Sequence, residues 1–183
     1  MQTQELQKWS KLSKMEITNI DWLLGFFEGS ASFSVNIGLA KSKNKRYVVF
    51  KPYIVVCSLD REQMNYIAKL LGINFVKPKL KSKTKNPYYS DSFSTNIQNF
   101  ADIDLVLEKL SGNKFKSKIK QDKLDKFVAC YDYVKEIGHI HTEWKNEFET
   151  LIDLKLDINS SRSNIGKNRF NKSEWVKKIK KHL

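Results

Sequence analysis

A chain of 183 residues, 40% hydrophobic and 12% aromatic, has enough apolar material for one sizeable core, so its many lysines do not imply wholesale disorder. With 33 Lys and Arg against 20 Asp and Glu, the formal net charge of +13 points to a polyanion, nucleic acid before membrane, since no basic amphipathic anchor or long apolar run accompanies it. Two cysteines, Cys57 and Cys130, are too few for a disulfide framework or a zinc cluster, and residues 1–19 lack the apolar core and cleavage site expected of a secretory signal.

In chain order, an N-terminal extension over 1–17 precedes a domain expected over 18–155, followed by a basic C-terminal tail over 156–183. Thr18 or Asn19 caps a first helix with the apolar body Ile20, Trp22, Leu23, Leu24, Phe26 and Phe27 and with Asp21 in its first turn, and Gly29 and Ser30 end it. From Ser32 the period changes to two. Phe33, Val35, Ile37 and Leu39 fall on one strand face as core, and Ser32, Ser34, Asn36 and Gly38 fall on the other, free to read a ligand. A basic turn carrying Lys41, Lys43, Lys45 and Arg46 leads into a second strand, Tyr47 to Ser58, which completes a hairpin.

Asp60 and Gln63 have the spacing of a capping box that opens a helix through Met64, Ile67, Ala68 and Leu71, stopped by Gly72. A second hairpin follows. Its first arm alternates Lys77, Lys79, Lys81, Lys83 and Lys85, so an extended strand puts all five on one face; the return arm is "YYSDSFSTNI", and Pro78 and Pro87 suggest an edge. Helices resume at Ala101 to Leu110. Lys114, Lys116, Lys118 and Lys120 then lead a longer helix through Val128, Tyr131 and Val134; another is expected from Thr142 to Asp153, and a short basic one from Ser173 with Trp175, Val176 and Ile179 on one side.

Each glycine of the first helix weakens it by about 1 kcal/mol relative to alanine. Gly25 and Gly29 are four apart and share a face, where the missing side chains let another backbone approach closely. A membrane span is excluded, because the apolar run there is far short of the roughly twenty residues needed. The stretch "LLGFFEGSA", Leu23 to Ala31, resembles the nine-residue signature of the LAGLIDADG homing endonucleases, and the element order from about residue 19 to 135 matches that family's repeat. The resemblance implies an α+β fold, αββαββα with a four-stranded antiparallel saddle lying on nucleic acid. It also implies a homodimer through the motif helix, with Leu24, Gly25, Glu28 and Gly29 at the crossing. Ser32, Ser34 and Asn36 would then read the groove, and the lysines would position phosphates.

The family carries an acidic metal ligand at the eighth motif position, where this chain has Ser30, a poor replacement for a carboxylate that holds Mg²⁺. Glu28, two residues earlier and roughly 200° around the helix, points elsewhere and reads as structural. The family's polar residue at the end of the second strand falls on Ser58 or Leu59, and its phosphate-stabilising base on Lys120. His139 and His141 lack an evident third ligand, so no metal site is expected from them. Two functions of different class follow from the resemblance. One is a nucleic-acid-binding protein with cleavage lost or impaired, cofactor-free, leaning to an RNA role in an organellar ribonucleoprotein such as the ribosome, because maturases of the family bind structured RNA. The other is an active intron-encoded, Mg-dependent DNA endonuclease. The richness in Lys, Asn and Ile suits an AT-rich organellar genome, mitochondrial or chloroplast.

Overall fold

The computed structural model describes residues 19–42, 45–73, 77–79, 92–137, 140–141, 146–158 and 171–181. The elements are α1 (Asn19–Ser30), β1 (Ala31–Ser42), β2 (Lys45–Ser58), α2 (Arg61–Leu71), β3 (Lys77–Lys79), β4 (Ser92–Ile97), α3 (Phe100–Leu110), α4 (Lys118–Ile137), β5 (Ile140–His141), α5 (Asn146–Ile158) and α6 (Lys172–Lys180). The expected αββαββα order is present. The antiparallel sheet runs β1-β2-β4-β3, and a two-residue β5, not foreseen from the sequence, pairs with Val48 and Val49 of β2.

β2 is central, paired with β1 from Lys45 to Val56 and on its other side with β5 at one end and β4 at the other. Pro52 falls between those two partners, opposite Val35 of β1, where a missing N–H removes no ladder bond. Pro78 lies in β3 at the outer edge of the sheet, the other position that tolerates proline. Alternation along the strands buries one face completely: Phe33, Val35, Ile54, Val56 and Ile97 pack against Leu23 and Phe27 of α1, Met64 and Ile67 of α2, Val106 of α3 and Phe127 of α4. The Phe127 ring lies 5.5 Å from Phe33 and 6.2 Å from Tyr131, so aromatic packing joins α4 to the sheet.

Local chemistry moves several boundaries. Asn99 caps α3 by accepting the Asp102 N–H at 2.7 Å, which starts that helix at Phe100. α4 begins only at Lys118, because Gly112 turns with φ +76° and Phe115 is buried; Lys114 and Lys116 therefore stand in the connection before the helix. Gln63 makes no reciprocal capping box: Asp60 accepts from the Glu62 and Gln63 N–H groups, while the Gln63 side chain turns to Ser58. α5 covers Asn146–Ile158 and runs on past the expected end at Asp153, driven by burial of Leu151, Ile152 and Ile158, while the expected start at Thr142 lies outside the described residues. A domain limit at 155 falls inside that helix. α6 opens with a complete capping box between Asn171 and Glu174, packs on α5 through Lys172 with Glu149 and Asp153, and buries Ile179 in the shared core.

Candidate nucleic-acid interface

The register defines the face of the sheet that the helices leave open. One row crosses it as Ser32, Val55 and Asn96, a second as Cys57, Ser94 and Lys77, and Asn36 stands opposite Lys51. Asn36, Lys51 and Asn96 are exposed, which gives two amides and an ammonium suited to base edges and phosphates. Ser34 departs from the expectation of an exposed reader. It is opposite Tyr53 and 7% exposed, so at this point of the face the more accessible Tyr53 presents the polar group. The sequence reading missed Lys51, Tyr53 and Asn96; the alternation Lys51, Tyr53, Val55, Cys57 in β2 carries the signal once β2 is set in register against β1.

Two members of the lysine ribbon, Lys77 and Lys79, lie in β3 opposite Ser94 and Ser92, hence on one face. Lys81, Lys83 and Lys85 lie outside the described residues, as do Lys43, His139 and Pro87. Lys41, Lys45 and Arg46 belong to the β1–β2 hairpin by register. Lys114, Lys116 and Lys118 are exposed around the start of α4.

A second cluster forms where α1 runs directly into β1. The Lys120 ammonium of α4 donates to the Ala31 carbonyl, one residue beyond Ser30, and stands 5.6 Å from the Phe33 ring centroid. Burial pushes the Lys120 ammonium below its usual pKa, Lys123 adds to the shift, and Glu28 opposes it. Glu28 turns to its own chain: its carboxylate accepts the backbone N–H groups of Ser117 and, at 3.3 Å, Lys116, just ahead of α4. That is an anion on the positive end of a helix. The Ser58 hydroxyl donates to Gln63 Oε1 at 2.6 Å and accepts the Asp60 N–H at 3.0 Å, so both its functions serve the start of α2. Among the described residues, no three His, Cys, Asp or Glu side chains converge as a metal-binding group. Among the described residues, the groups beside Ser30 are its own hydroxyl and the Lys120 ammonium, with the Glu28 carboxylate turned to the backbone before α4, and that set does not fit Mg²⁺.

On the outward side of α1, Asp21, Gly25 and Gly29 are exposed at intervals of four, and a Cβ built at either glycine meets nothing within 4 Å among the described residues. Leu24 beside them is half-buried against the core, while Trp22 is fixed by Phe26 and Tyr66 at ring distances of 5.5 and 5.2 Å. No described helix is long and apolar enough to cross a membrane.

No protein-family model matches the chain. It is 28% identical over 86% of its length to Cytotoxin-L of Paraclostridium sordellii, and spans 7% of that protein's length. Solved structures resemble it throughout. The archaeal intron-encoded homing endonuclease I-Vdi141I, complexed with DNA, superposes with a TM-score of 0.69 at 19% identity, covering 91% of this chain and 97% of its own. The homing endonuclease I-TnaI follows at 0.65 and 16% identity, covering 90% of this chain and 98% of its own. The LAGLIDADG meganuclease I-AabMI, bound to uncleaved DNA, gives 0.59 at 19% identity over 80% of this chain, which spans 46% of that one. The chain has the LAGLIDADG homing-endonuclease fold.

Proposed function

We propose that this chain is a nucleic-acid-binding protein derived from a single-motif LAGLIDADG homing endonuclease, with cleavage lost or impaired, and that it holds structured RNA in an organellar ribonucleoprotein such as the mitochondrial ribosome. The observation that carries the loss of cleavage is the pair Ser30 and Glu28. The motif position of the metal-binding acid is a neutral hydroxyl, and the nearest motif carboxylate is committed to the backbone before α4. The retained asset is the open face. Lysines of the β1–β2 turn, β3 and the α4 start bind phosphates irrespective of sequence, and Asn36, Asn96 and Tyr53 supply donors and acceptors within the same surface. Lys120, fixed against the Ala31 carbonyl, adds positive charge at the end of the motif helix whether or not a strand is cut.

A homodimer through α1 is supported by the exposed Gly25 and Gly29, at which an added Cβ meets nothing within 4 Å among the described residues. Two symmetric copies would present two sheets to one nucleic acid.

The second reading is an active Mg-dependent endonuclease that cuts both DNA strands. It is favoured by the DNA present in the I-Vdi141I complex and by the calcium ions with which I-SmaMI is bound to uncleaved target. Identification of the nucleic acid that co-purifies with the native protein, with RNase and DNase treatments in parallel, separates the two. One enriched ribosomal or intron RNA, with sedimentation lost after RNase, is the expected result. No specific RNA, together with magnesium-dependent cutting of an intron-insertion site, would establish the endonuclease instead.

A further inference from the structure

β1 is the outermost strand on its side of the sheet, and the way its edge is covered creates a second feature. Val35, opposite Pro52, lies on this edge strand, and its carbonyl accepts a hydrogen bond from the Lys155 ammonium of α5. The same ammonium stands 5.7 Å from the centroid of the Trp175 ring on α6, and Lys178 stands 5.4 Å from it. α6 is thereby held along the edge of β1. Between them lies a recess of about 160 Å³ lined by Ile37, Gly38, Trp175, Lys178 and Ile179.

Three properties of the recess point to one class of ligand. Its size comes first: one water occupies about 10–15 Å³ on this scale, so the recess holds roughly ten heavy atoms, the size of one nucleobase. Its lining comes second, an indole ring with apolar Ile37 and Ile179, the ring flanked by the Lys178 and Lys155 ammonium groups, which is the composition of a stacking platform beside cations that suit phosphate. Its position comes third. Gly38 follows Ser32, Ser34 and Asn36 on the open face by alternation, it is exposed, and the space in front of it is clear, so the recess continues the open face around the sheet edge. Lys177, Lys178, Lys180 and Lys181 are exposed along and just beyond α6.

We propose that this recess binds one unstacked nucleobase against Trp175, while the α6 lysines contact the adjoining phosphates. The proposal rests on the nucleic-acid reading above and deepens it. The preferred target has an unpaired nucleotide beside a helix, a bulge or a loop rather than a continuous duplex. RNA presents such bases routinely, and a DNA bulge presents the same chemistry.

The test uses the full chain and fluorescence-labelled probes: a continuous RNA duplex, the same duplex with one bulged uridine, and the DNA counterparts of both. The bulged RNA binds more tightly than the continuous duplex. Trp175→Leu removes that increment, a loss of about 5- to 150-fold on the bulged probe as expected for one lost base stack, and leaves the continuous duplex unchanged; Trp175→Phe keeps most of it. Photocrosslinking of 5-iodouridine at the bulge to Trp175 of the unmutated chain gives the same answer should the leucine variant fold poorly. Equal affinity for bulged and continuous probes, with no crosslink to Trp175, overturns the proposal and leaves the nucleic-acid reading standing. Binding to none of the four probes overturns both. A bulge increment with DNA equal to that with RNA upholds the base site and removes its preference for RNA.

Discussion

Glu28 and Ser117 are 89 residues apart in sequence, yet the Glu28 carboxylate at the end of the motif helix accepts the Ser117 backbone N–H at the start of α4. The bond ties the helix that carries the signature to the helix that carries Lys120, and so fixes the corner between them. Removing the acceptor leaves the N–H groups of Lys116 and Ser117 without it. Glu28→Ala is expected to destabilise the chain by about 1–2 kcal/mol, the range for a lost helix cap, and Glu28→Gln, which keeps a neutral acceptor, by less. Urea unfolding of the three proteins measures this. Equal midpoints for all three would mean that the carboxylate contributes nothing there.

The two glycines of α1 set stability and association against each other. A methyl group at Gly25 or Gly29 meets nothing within 4 Å among the described residues, so alanine at each position is expected to stabilise the monomer by roughly 0.5–1 kcal/mol through helix propensity. In a dimer whose α1 helices cross at those residues, the same methyl groups separate the backbones. Gly25→Ala with Gly29→Ala should therefore raise the unfolding midpoint of dilute protein and shift sedimentation equilibrium towards monomer. A higher midpoint without a change in association would mean that the glycine face is not the contact.

Acid stability is assigned to one cluster between α3 and α4. Asp104 accepts the Tyr131 hydroxyl at 2.7 Å and the Lys135 ammonium at 2.8 Å. The Lys135 hydrogen bond, then that of Tyr131, hold its pKa below the ordinary 3.8, and burial opposes them only in part. A carboxyl that is more acidic folded than unfolded stabilises above 3.8, and its contribution is lost as pH falls through the lowered folded value. Asp104→Asn should lower the unfolding midpoint at neutral pH and flatten its decline below pH 3.8. Tyr131→Phe should cost about 0.5–1.5 kcal/mol near neutrality, the usual worth of one hydrogen bond. Parallel acid limbs for the wild type and Asp104→Asn would remove Asp104 from the account.

How far the sequence discloses this molecule depends on the range of the signal. The period-two run from Ser32 to Leu39 and the glycine-stopped helix at Gly72 are set by neighbours in sequence, and both read correctly. The start of α4 did not, because it is set by Glu28, 88 and 89 residues away, and by burial of Phe115. Ser34 has the pattern of an exposed polar position and is covered nonetheless, since exposure depends on Tyr53 across the strand pair. The Trp175 recess was invisible for the same reason. It needs α5, α6 and the edge of β1 together, and no local pattern links residues 38 and 175.

Lys120 gives a pH dependence of the same sign as Asp104, displaced to the alkaline range. Its ammonium holds its proton more weakly in the folded chain than in the unfolded one, mainly because burial disfavours the charge. Unfolding therefore takes up protons at this group, and the stability it governs rises with pH between the lowered folded pKa and the ordinary 10.5. Lys120→Met should remove that alkaline rise relative to the wild type in guanidinium unfolding followed from pH 8 upward. It should also weaken phosphate binding with little change in base preference, because a lysine contributes charge rather than readout. An alkaline limb identical in both proteins would show that the buried ammonium does not titrate in that window.

Ser30 supplies the sharpest test of what the fold now does. It ends α1 at the motif position of an acidic metal ligand, with the Lys120 ammonium bonded one residue away and Glu28 engaged elsewhere. Restoring a carboxylate by Ser30→Asp gives each copy of the chain one hard oxygen ligand, and a dimer two, the minimum set around which Mg²⁺ could gather phosphate oxygens. The rest of the site decides the outcome. Ser58, whose hydroxyl serves Gln63 and Asp60, is not positioned to organise water, so Ser30→Asp is expected to gain Mg²⁺ binding without restoring efficient cutting. Isothermal titration with Mg²⁺ and nicking of supercoiled plasmid, run on the wild type and the variant, separate the two effects. Magnesium-dependent nicking by the wild type itself would overturn the proposed loss of cleavage, whereas binding without nicking by Ser30→Asp would mean that more than the residue at position 30 separates this chain from a cutting enzyme.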